Sequence, residues 1–307
     1  MNEIIIEKKI KQRARKENLI ANLYILPIFL TFTVFAAIPM LMSVLFSFTT
    51  YNPIKHDNFF SVLPEIFNGI EWYKALFTNL AYSESFKNAC LNTLFYLFEV
   101  PISITIGAFF AWLINNSKIR GGRVYKMLFY VPVVSSAVAI NLVWRYIFDH
   151  DYGIVNQMLN TTTIYWLRDP ILVKIAINIK NVWARIGACI ILISATMDTV
   201  DKAIYEAADI DGAGEIKKFF KLTLPHLVPV IFYLLITGIN GAMQTYADSK
   251  IFAEGAYEAQ SLVFFIWQKG IGTYNYGIAS AASVLLSIVM FLLTLLQFKI
   301  SQKGVNE

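Results

Sequence analysis

The chain has 307 residues, of which 57% are hydrophobic and 15% charged, with a formal net charge of +5 and a mean hydropathy of +0.54. That apolar excess excludes an ordinary soluble domain and falls in runs long enough to cross ~30 Å of hydrocarbon. The basic residues sit at the edges of those runs rather than on one folded face, which excludes a nucleic-acid interface. Cys90 and Cys189 both lie inside apolar runs and provide neither a disulfide framework nor metal-ligand spacing.

Residues 1–18 form a basic segment carrying Lys8, Lys9, Lys11, Arg13, Arg15 and Lys16. The apolar run at 19–49 is too long for the core of a secretion signal and no small-residue cleavage site follows, so it is expected to remain as a span. Further spans are expected near 86–115, 124–148, 171–197, 225–247 and 277–298. Lys118, Arg120, Arg123 and Lys126 cluster between the second and third spans. Lys202, Lys217, Lys218 and Lys221 lie between the fourth and fifth, and Lys299 and Lys303 follow the sixth. Basic residues mark the cytoplasmic side. The expectation is therefore an all-α integral membrane protein with six spans in residues 19–298, both termini cytoplasmic, a cytoplasmic loop at 201–225 and a cytoplasmic tail at 299–307.

Residues 67–78, in the long segment after the first span, read FNGIEWYKALFT, with apolar residues at helical spacing. A helix on the outer surface is expected there. Gly107 and Ala111 in span two, Gly238 and Gly241 in span five and Ala279 to Ser283 in span six are small residues that permit close helix approach.

Polar side chains inside spans carry more information, because hydrocarbon penalises them. Lys174, Asn178, Asn181 and Arg185 fall at i, i+4, i+7 and i+11 and share one face of span four. Thr237, Asn240, Gln244 and Asp248 are expected to share a face of span five in the same way. The pattern suits a hydrated path lined by Asn178, Asn181, Arg185, Asn240 and Gln244; it equally suits hydrogen bonding between helices. Glu99 stands just before Pro101 in span two. Counted from the expected starts of spans two and four, Glu99 and Arg185 lie at equal depth, which predicts an intramembrane pair.

No G-x-x-x-x-G-K-[ST] loop occurs to hold nucleotide phosphates, and His56, His150 and His226 are far apart, so no catalytic or metal constellation is expected. The energy for any pumping has to come from a partner or from a co-transported ion.

Between spans four and five lies EAADIDGAGEIKKFFKLTLPHLVP, residues 206–229. A short helix up to Ile210, with Tyr205, Ala208 and Ile210 among its contacts, is followed by a turn at Gly212 that a side chain would hinder. Ile216, Phe219 and Phe220 then recur at helical spacing, leaving Lys217, Lys218 and Lys221 towards water or headgroups. Pro225 opens the next helix. The product is a helix–turn–helix plate suited to receiving force from a motor.

Glu206-Ala207-Ala208, Asp211-Gly212-Ala213 and Leu224-Pro225 resemble the EAA loop of ABC-importer permeases. The likeness extends over residues 20–303. Asn92-Thr93-Leu94, Tyr130-Val131-Pro132, Val143-Trp144-Arg145, Tyr152-Gly153 with Asn156, Trp166-Leu167 and Asp169-Pro170 are similar to the carbohydrate branch, of the maltose and glycerol-3-phosphate type.

The resemblance implies the type I importer permease fold. It implies a second homologous permease completing the channel, a cytoplasmic ABC ATPase dimer that binds ATP and Mg, an extracellular solute-binding protein and a bacterial or archaeal cell membrane. No cofactor is expected on this chain. Glu206 is implied as the docking carboxylate, Ala207 and Ala208 as the contact face, and Gly212 as the turn.

Leu222 stands where the family usually has Ile. Val200-Asp201 replaces the usual Ile-Pro, with Asp201 able to cap the helix, and Glu254 to Tyr257 replaces a G-G-P outer loop. Glu99 occupies a place where a neutral residue is usual. A non-transporting scaffold leaves the polar stripes without a use. An ion-coupled secondary transporter using Glu99 is the competing function; it calls for internal repeats, and none is evident.

Overall fold

A computed structural model describes residue 20, residues 22–56, residue 62 and residues 66–116, 121–161 and 164–306, with residues 116 and 301–306 as backbone alone. The basic segment 1–18, Lys118 and Arg120 lie outside the described residues, as does the Lys303 side chain. Among the described residues there are helices and no named strand.

Helix α1 spans Asn22–Phe46. The chain then forms α2, Glu71–Thr78, which is shorter than the expected helix because Phe67 is engaged in a bridge with Thr49. Asn79 accepts the Ala81 N–H at 2.9 Å and so caps α3, Leu80–Tyr96. A turn at Leu97 and Phe98 leads to α4, Glu99–Asn116. Pro101 explains the interruption, because it has no N–H for the Leu97 carbonyl.

The expected third span is not one straight helix. It consists of α5, Gly122–Val134, and α6, Ala137–Ile147, bent by 100° at Ser135-Ser136. Both serines are extended, and Pro132 has already removed a donor from the last turn of α5. A short α7, Ile154–Met158, precedes α8, Leu172–Met197. Two backbone N–H groups, of Ile171 and Leu172, donate to Asp169 Oδ1 at 2.8 and 2.9 Å at the start of α8. They hold the Asp169 carboxyl below its ordinary pKa.

Helix α9, Lys202–Ile210, is followed by α10, Glu215–Met243, which contains a wide π turn at Phe219–Thr223. The second half of the plate and span five are thus one continuous helix, rather than two helices meeting at Pro225. Leu224 N–H bonds Phe219 O, five residues back, so the wide turn rearranges the ladder just where Pro225 has no N–H to offer. After α10 ends at Met243, a second π turn covers Asp248–Phe252. A short apolar helix follows, α11, Leu262–Trp267, and then α12, Tyr276–Asn306. Counting the bent α5–α6 pair as one, the described residues hold up to six spans.

The buried core has three parts. Leu76, Phe86, Phe265 and Ile278 join α2, α3, α11 and α12. Val100, Cys189, Ile193 and Leu227 join α4, α8 and α10. Tyr96, Phe148, Ile177 and Phe252 close the end near the second π turn. Helix α8 is the hub, lying along α4, α5 and α10.

Two glycines permit that contact: a Cβ on Gly107 would stand 2.4 Å from Cys189 Cβ, and one on Gly187 would stand 2.0 Å from the Phe129 carbonyl oxygen. Replacing a helical Gly by Ala ordinarily gains about 1 kcal/mol, whereas forcing backbone apart costs about 1–3 kcal/mol. Gly187→Ala should therefore lower the thermal midpoint of the purified protein in detergent, while Gly214→Ala, with no atom within 4 Å, should not.

Candidate functional site

The plate is built locally. Asp201 accepts the Ala203 N–H at 3.0 Å and so starts α9 in place of a proline. Gly212 ends it with φ +69°, a left-handed conformation that favours glycine. Asp211, the residue before it, accepts no ion pair among the described residues. Glu206 and Ala207 are exposed and Ala208 is half-buried, so the outer face of α9 is open. Tyr205 and Thr223 join their hydroxyls at 2.8 Å, which ties α9 to the π turn just before Leu224 and Pro225.

Two expectations fail here. Ile210 is 88% exposed, because the turn at Gly212 carries the chain away before anything can cover it. Lys218 does not face water: it is buried and its Nζ donates to Asp209 Oδ1 at 2.6 Å and lies 2.5 Å from Glu215 Oε1. That clamp holds the two halves of the plate together.

Deep in the bundle, Arg185 Nη2 donates to Glu99 Oε1 at 2.8 Å. The guanidinium lies over Gly238 and Gly241 of α10, with Nη1 at 3.4 Å and Nη2 at 3.6 Å from where their Cβ atoms would be. One side chain thereby links α4, α8 and α10. The helix containing Glu99's predecessor segment starts at Leu80, earlier than the depth count assumed. The two groups meet because α4 and α8 run side by side.

A second cluster lies about one to one and a half turns away along α8 and was not legible beforehand. Lys180 is buried and pairs with Asp248, and it also donates to Asn141 Oδ1 at 2.9 Å. Asn181 Nδ2 donates to Asp248 Oδ2 at 2.7 Å. Asp248 is not on the face of α10 that carries Asn240 and Gln244, because that helix stops at Met243 and Asp248 opens the π turn.

Asn178 Nδ2 donates to the Phe95 carbonyl at 3.3 Å, and Gln244 Nε2 donates to the Asn240 carbonyl at 3.1 Å. Thus Asn178, Asn181 and Arg185 all make contacts between segments. Asn240 and Gln244 form a local pair at the C-terminal end of α10, which Gln244 caps. Lys174 is half-buried. A mid-run lysine and asparagine, Lys180 and Asn141, were the available signals for the second cluster; both fell off the periodic stripe.

The motif residues Asn92 and Thr93 of α3, with Tyr96 one turn on, hold a largely non-helical segment in place. Asn92 Nδ2 donates to Gln260 O at 3.0 Å, Tyr96 Oη donates to Ala259 O at 2.9 Å, and Leu262 N donates to Thr93 Oγ1 at 2.9 Å. Buried backbone without helix or sheet partners needs such donors and acceptors. Asn156 does similar work beyond α6, donating to His150 O and Ile164 O at 3.0 Å and accepting from Trp166 Nε1 at 2.8 Å. Arg145 pairs with Glu254 beside it, on the rim of an open polar cavity of about 430 Å³.

The family model for "Binding-protein-dependent transport system inner membrane component" matches residues 103–306. The chain belongs to that family. It is a multi-pass membrane permease, and the exposed plate at 201–225 and the charged bundle interior are parts of one. It is 29% identical over 302 residues to the "Probable ABC transporter permease protein YesP" of Bacillus subtilis, covering 95% of this chain and 93% of that protein. It is 32% identical to the "Lactose transport system permease protein LacF" of Rhizobium radiobacter, covering 69% of this chain and 75% of that protein. The fold matches a chain of a bacterial alginate ABC transporter in complex with an alginate pentasaccharide-bound periplasmic protein. That match has a TM-score of 0.80 and 22% identity, covering 95% of this chain and 96% of that one.

Breaking a buried ion pair on one side costs about 3–5 kcal/mol, whereas removing both charges is often nearly neutral. Lys180→Met and Asp248→Leu should each lower the folded yield and thermal midpoint sharply. The double variant should recover most of the loss, as measured by fluorescence-detected size exclusion after heating.

Proposed function

We propose that this chain is the membrane-spanning permease subunit of an ATP-binding cassette importer for a sugar or oligosaccharide. It forms half of the translocation pathway, opposite a second homologous permease. The carbohydrate class is supported by relatives such as the lactose permease protein and by the alginate transporter of the same fold. The observation that carries the coupling role is the open face of α9, Glu206 to Ala208, on a plate clamped by Lys218 and continuous with span five.

In this reading the loop and both termini face the cytoplasm of a bacterial cell, consistent with the placement of basic residues. A partner ATPase dimer binds ATP and Mg and receives α9 in a surface groove, with Glu206 as the docking carboxylate and Ala207 and Ala208 as the close-contact face. An extracellular binding protein delivers solute at the opposite end. When ATP closes the motor, α9 of each permease moves with it, and Leu224 and Pro225 hand that motion to span five. The interior then opens alternately to the two sides, with Asn178, Asn181, Arg185, Asn240 and Gln244 as candidate path residues. Among these path residues, Asn178 Oδ1 and Arg185 Nε have no hydrogen-bond partner among the described residues and so retain capacity for solute hydroxyls, although Arg185 Nη2 is held by Glu99.

Removing a charge-assisted hydrogen bond costs enough to slow a coupled process about tenfold. Glu206→Ala should reduce solute uptake and solute-stimulated ATP hydrolysis by about that factor in proteoliposomes, with membrane insertion unchanged. Gly212→Val should also be damaging, since a β-branched residue is disfavoured at positive φ. Uptake at the normal rate in Glu206→Ala would remove Glu206 from the docking role. Failure of the natively expressed chain to co-purify with any ATPase would sink the importer assignment itself.

A further inference from the structure

A groove of about 510 Å³ opens between α4 and the first half of α10, lined by Ile104, Ala108, Trp112, Phe219, Leu224 and Ile231. Thr105 also borders it, but its hydroxyl already donates to Pro101 O at 2.8 Å, so the lining is mostly apolar. At the plate end the slot runs into a second hollow. Ile216 and Phe220 line both, and Lys217 and Lys221 line the second.

The charges at this mouth are not balanced. Lys217 and Lys221 are one helical turn apart on α10 and both exposed, and the ion pairs among the described residues include neither. Glu215 also borders the hollow, but it already serves Lys218 at 2.5 Å. Two ammonium groups therefore stand over one end of an apolar slot that lies on a membrane-spanning helix. Within a bilayer an uncovered apolar slot fills with acyl chain. The paired lysines add selection for a negatively charged headgroup, because basic side chains at the membrane surface attract anionic lipid. The long lysine stems extend along the apolar surface while their charges reach the headgroup layer.

We propose that the groove between α4 and α10 is a binding site for one anionic phospholipid, with an acyl chain in the slot and its phosphate against Lys217 and Lys221. The site sits on both sides of the π turn at Phe219–Thr223, next to the Lys218 clamp. Occupancy thereby braces the junction between the plate and span five. The site depends on the chain being a membrane permease but not on which solute it carries or on its motor partner.

The test is photolabelling of the full chain in phosphatidylcholine vesicles doped with either phosphatidylglycerol or phosphatidylcholine bearing the same diazirine acyl chain, followed by peptide mapping. Labelling within residues 104–112 and 219–231 should favour the phosphatidylglycerol probe about tenfold. Lys217→Gln/Lys221→Gln should erase that preference, while labelling of the exposed Phe291 and Leu295 on α12 stays unchanged and reports an intact fold. Ala108→Phe, which fills the slot and keeps both lysines, should lower labelling by either probe. Equal labelling by the two probes in the unmodified chain, or a preference that survives loss of both lysines, would overturn the site. So would a cross-link from the groove to another protein chain in place of lipid when the assembled transporter is labelled.

Discussion

Hydrocarbon offers neither hydrogen bonds nor counter-charges, and among the described residues two ion pairs lie inside the bundle. The arrangement follows from how their charges are neutralised. Lys180 and Arg185 both project from α8; one reaches Asp248 in the turn after α10 and the other reaches Glu99 at the start of α4. These two cations of the hub helix thereby fix different neighbours, and the two pairs together carry no net formal charge. An exposed pair such as Lys74–Glu71 contributes ~0–1 kcal/mol; leaving one of these buried partners alone costs several times that. Register between α4, α8 and the 248–252 turn is consequently specified by charge as well as by shape. Gly107 lets α4 come close to α8, and Gly238 leaves room on α10 for the Val100 and Arg185 side chains.

The same scarcity of partners governs the non-helical stretches. The chain between Asp248 and Leu262 has carbonyls and amides that no helix satisfies. Asn92, Thr93, Tyr96 and Ser249 supply the missing partners. Small polar residues that read as a family signature in α3 are thus the supports of an irregular segment at the far end from the plate. One end is held by a hydrogen-bond web, and the plate presents the exposed face of α9, held by Lys218 and by the Tyr205–Thr223 hydroxyl contact.

What could be read beforehand followed from how local each cause is. Hydropathy placed six apolar runs, because crossing hydrocarbon is a property of each run alone. The Asp201 cap and the left-handed turn at Gly212 were legible for the same reason. The bend at Ser135-Ser136 was not, since a composition count passes over two serines that end one helix and start another. Asp248 was assigned to α10 because periodicity carries on past Met243 where the helix does not. Lys218 was read as facing water: its partner Asp209 lies across a turn whose geometry only the folded chain defines. Lys180 went unremarked because it falls off the polar stripe of α8, on the side where α6 and the 248–252 turn converge. The Glu99–Arg185 contact could be anticipated from matching depth, although the helix carrying the count begins earlier than supposed.

The wide turn at Phe219–Thr223 has a consequence for the phase of the helix that contains it. A π turn accommodates one residue more than an α turn, and each residue of an α-helix advances its face by about 100°. The segment before the turn, with Glu215 and Lys218, is therefore offset in screw phase from the segment after it, with Leu227 and Leu234. That offset lets one unbroken rod direct Lys218 at Asp209 on the plate and its leucines at the bundle core. Were the turn to tighten into regular α-helix, the end bearing Lys218 would rotate like a key relative to the span. A helix with no hinge in its path can in this way deliver torsion, rather than bending, to the exposed plate.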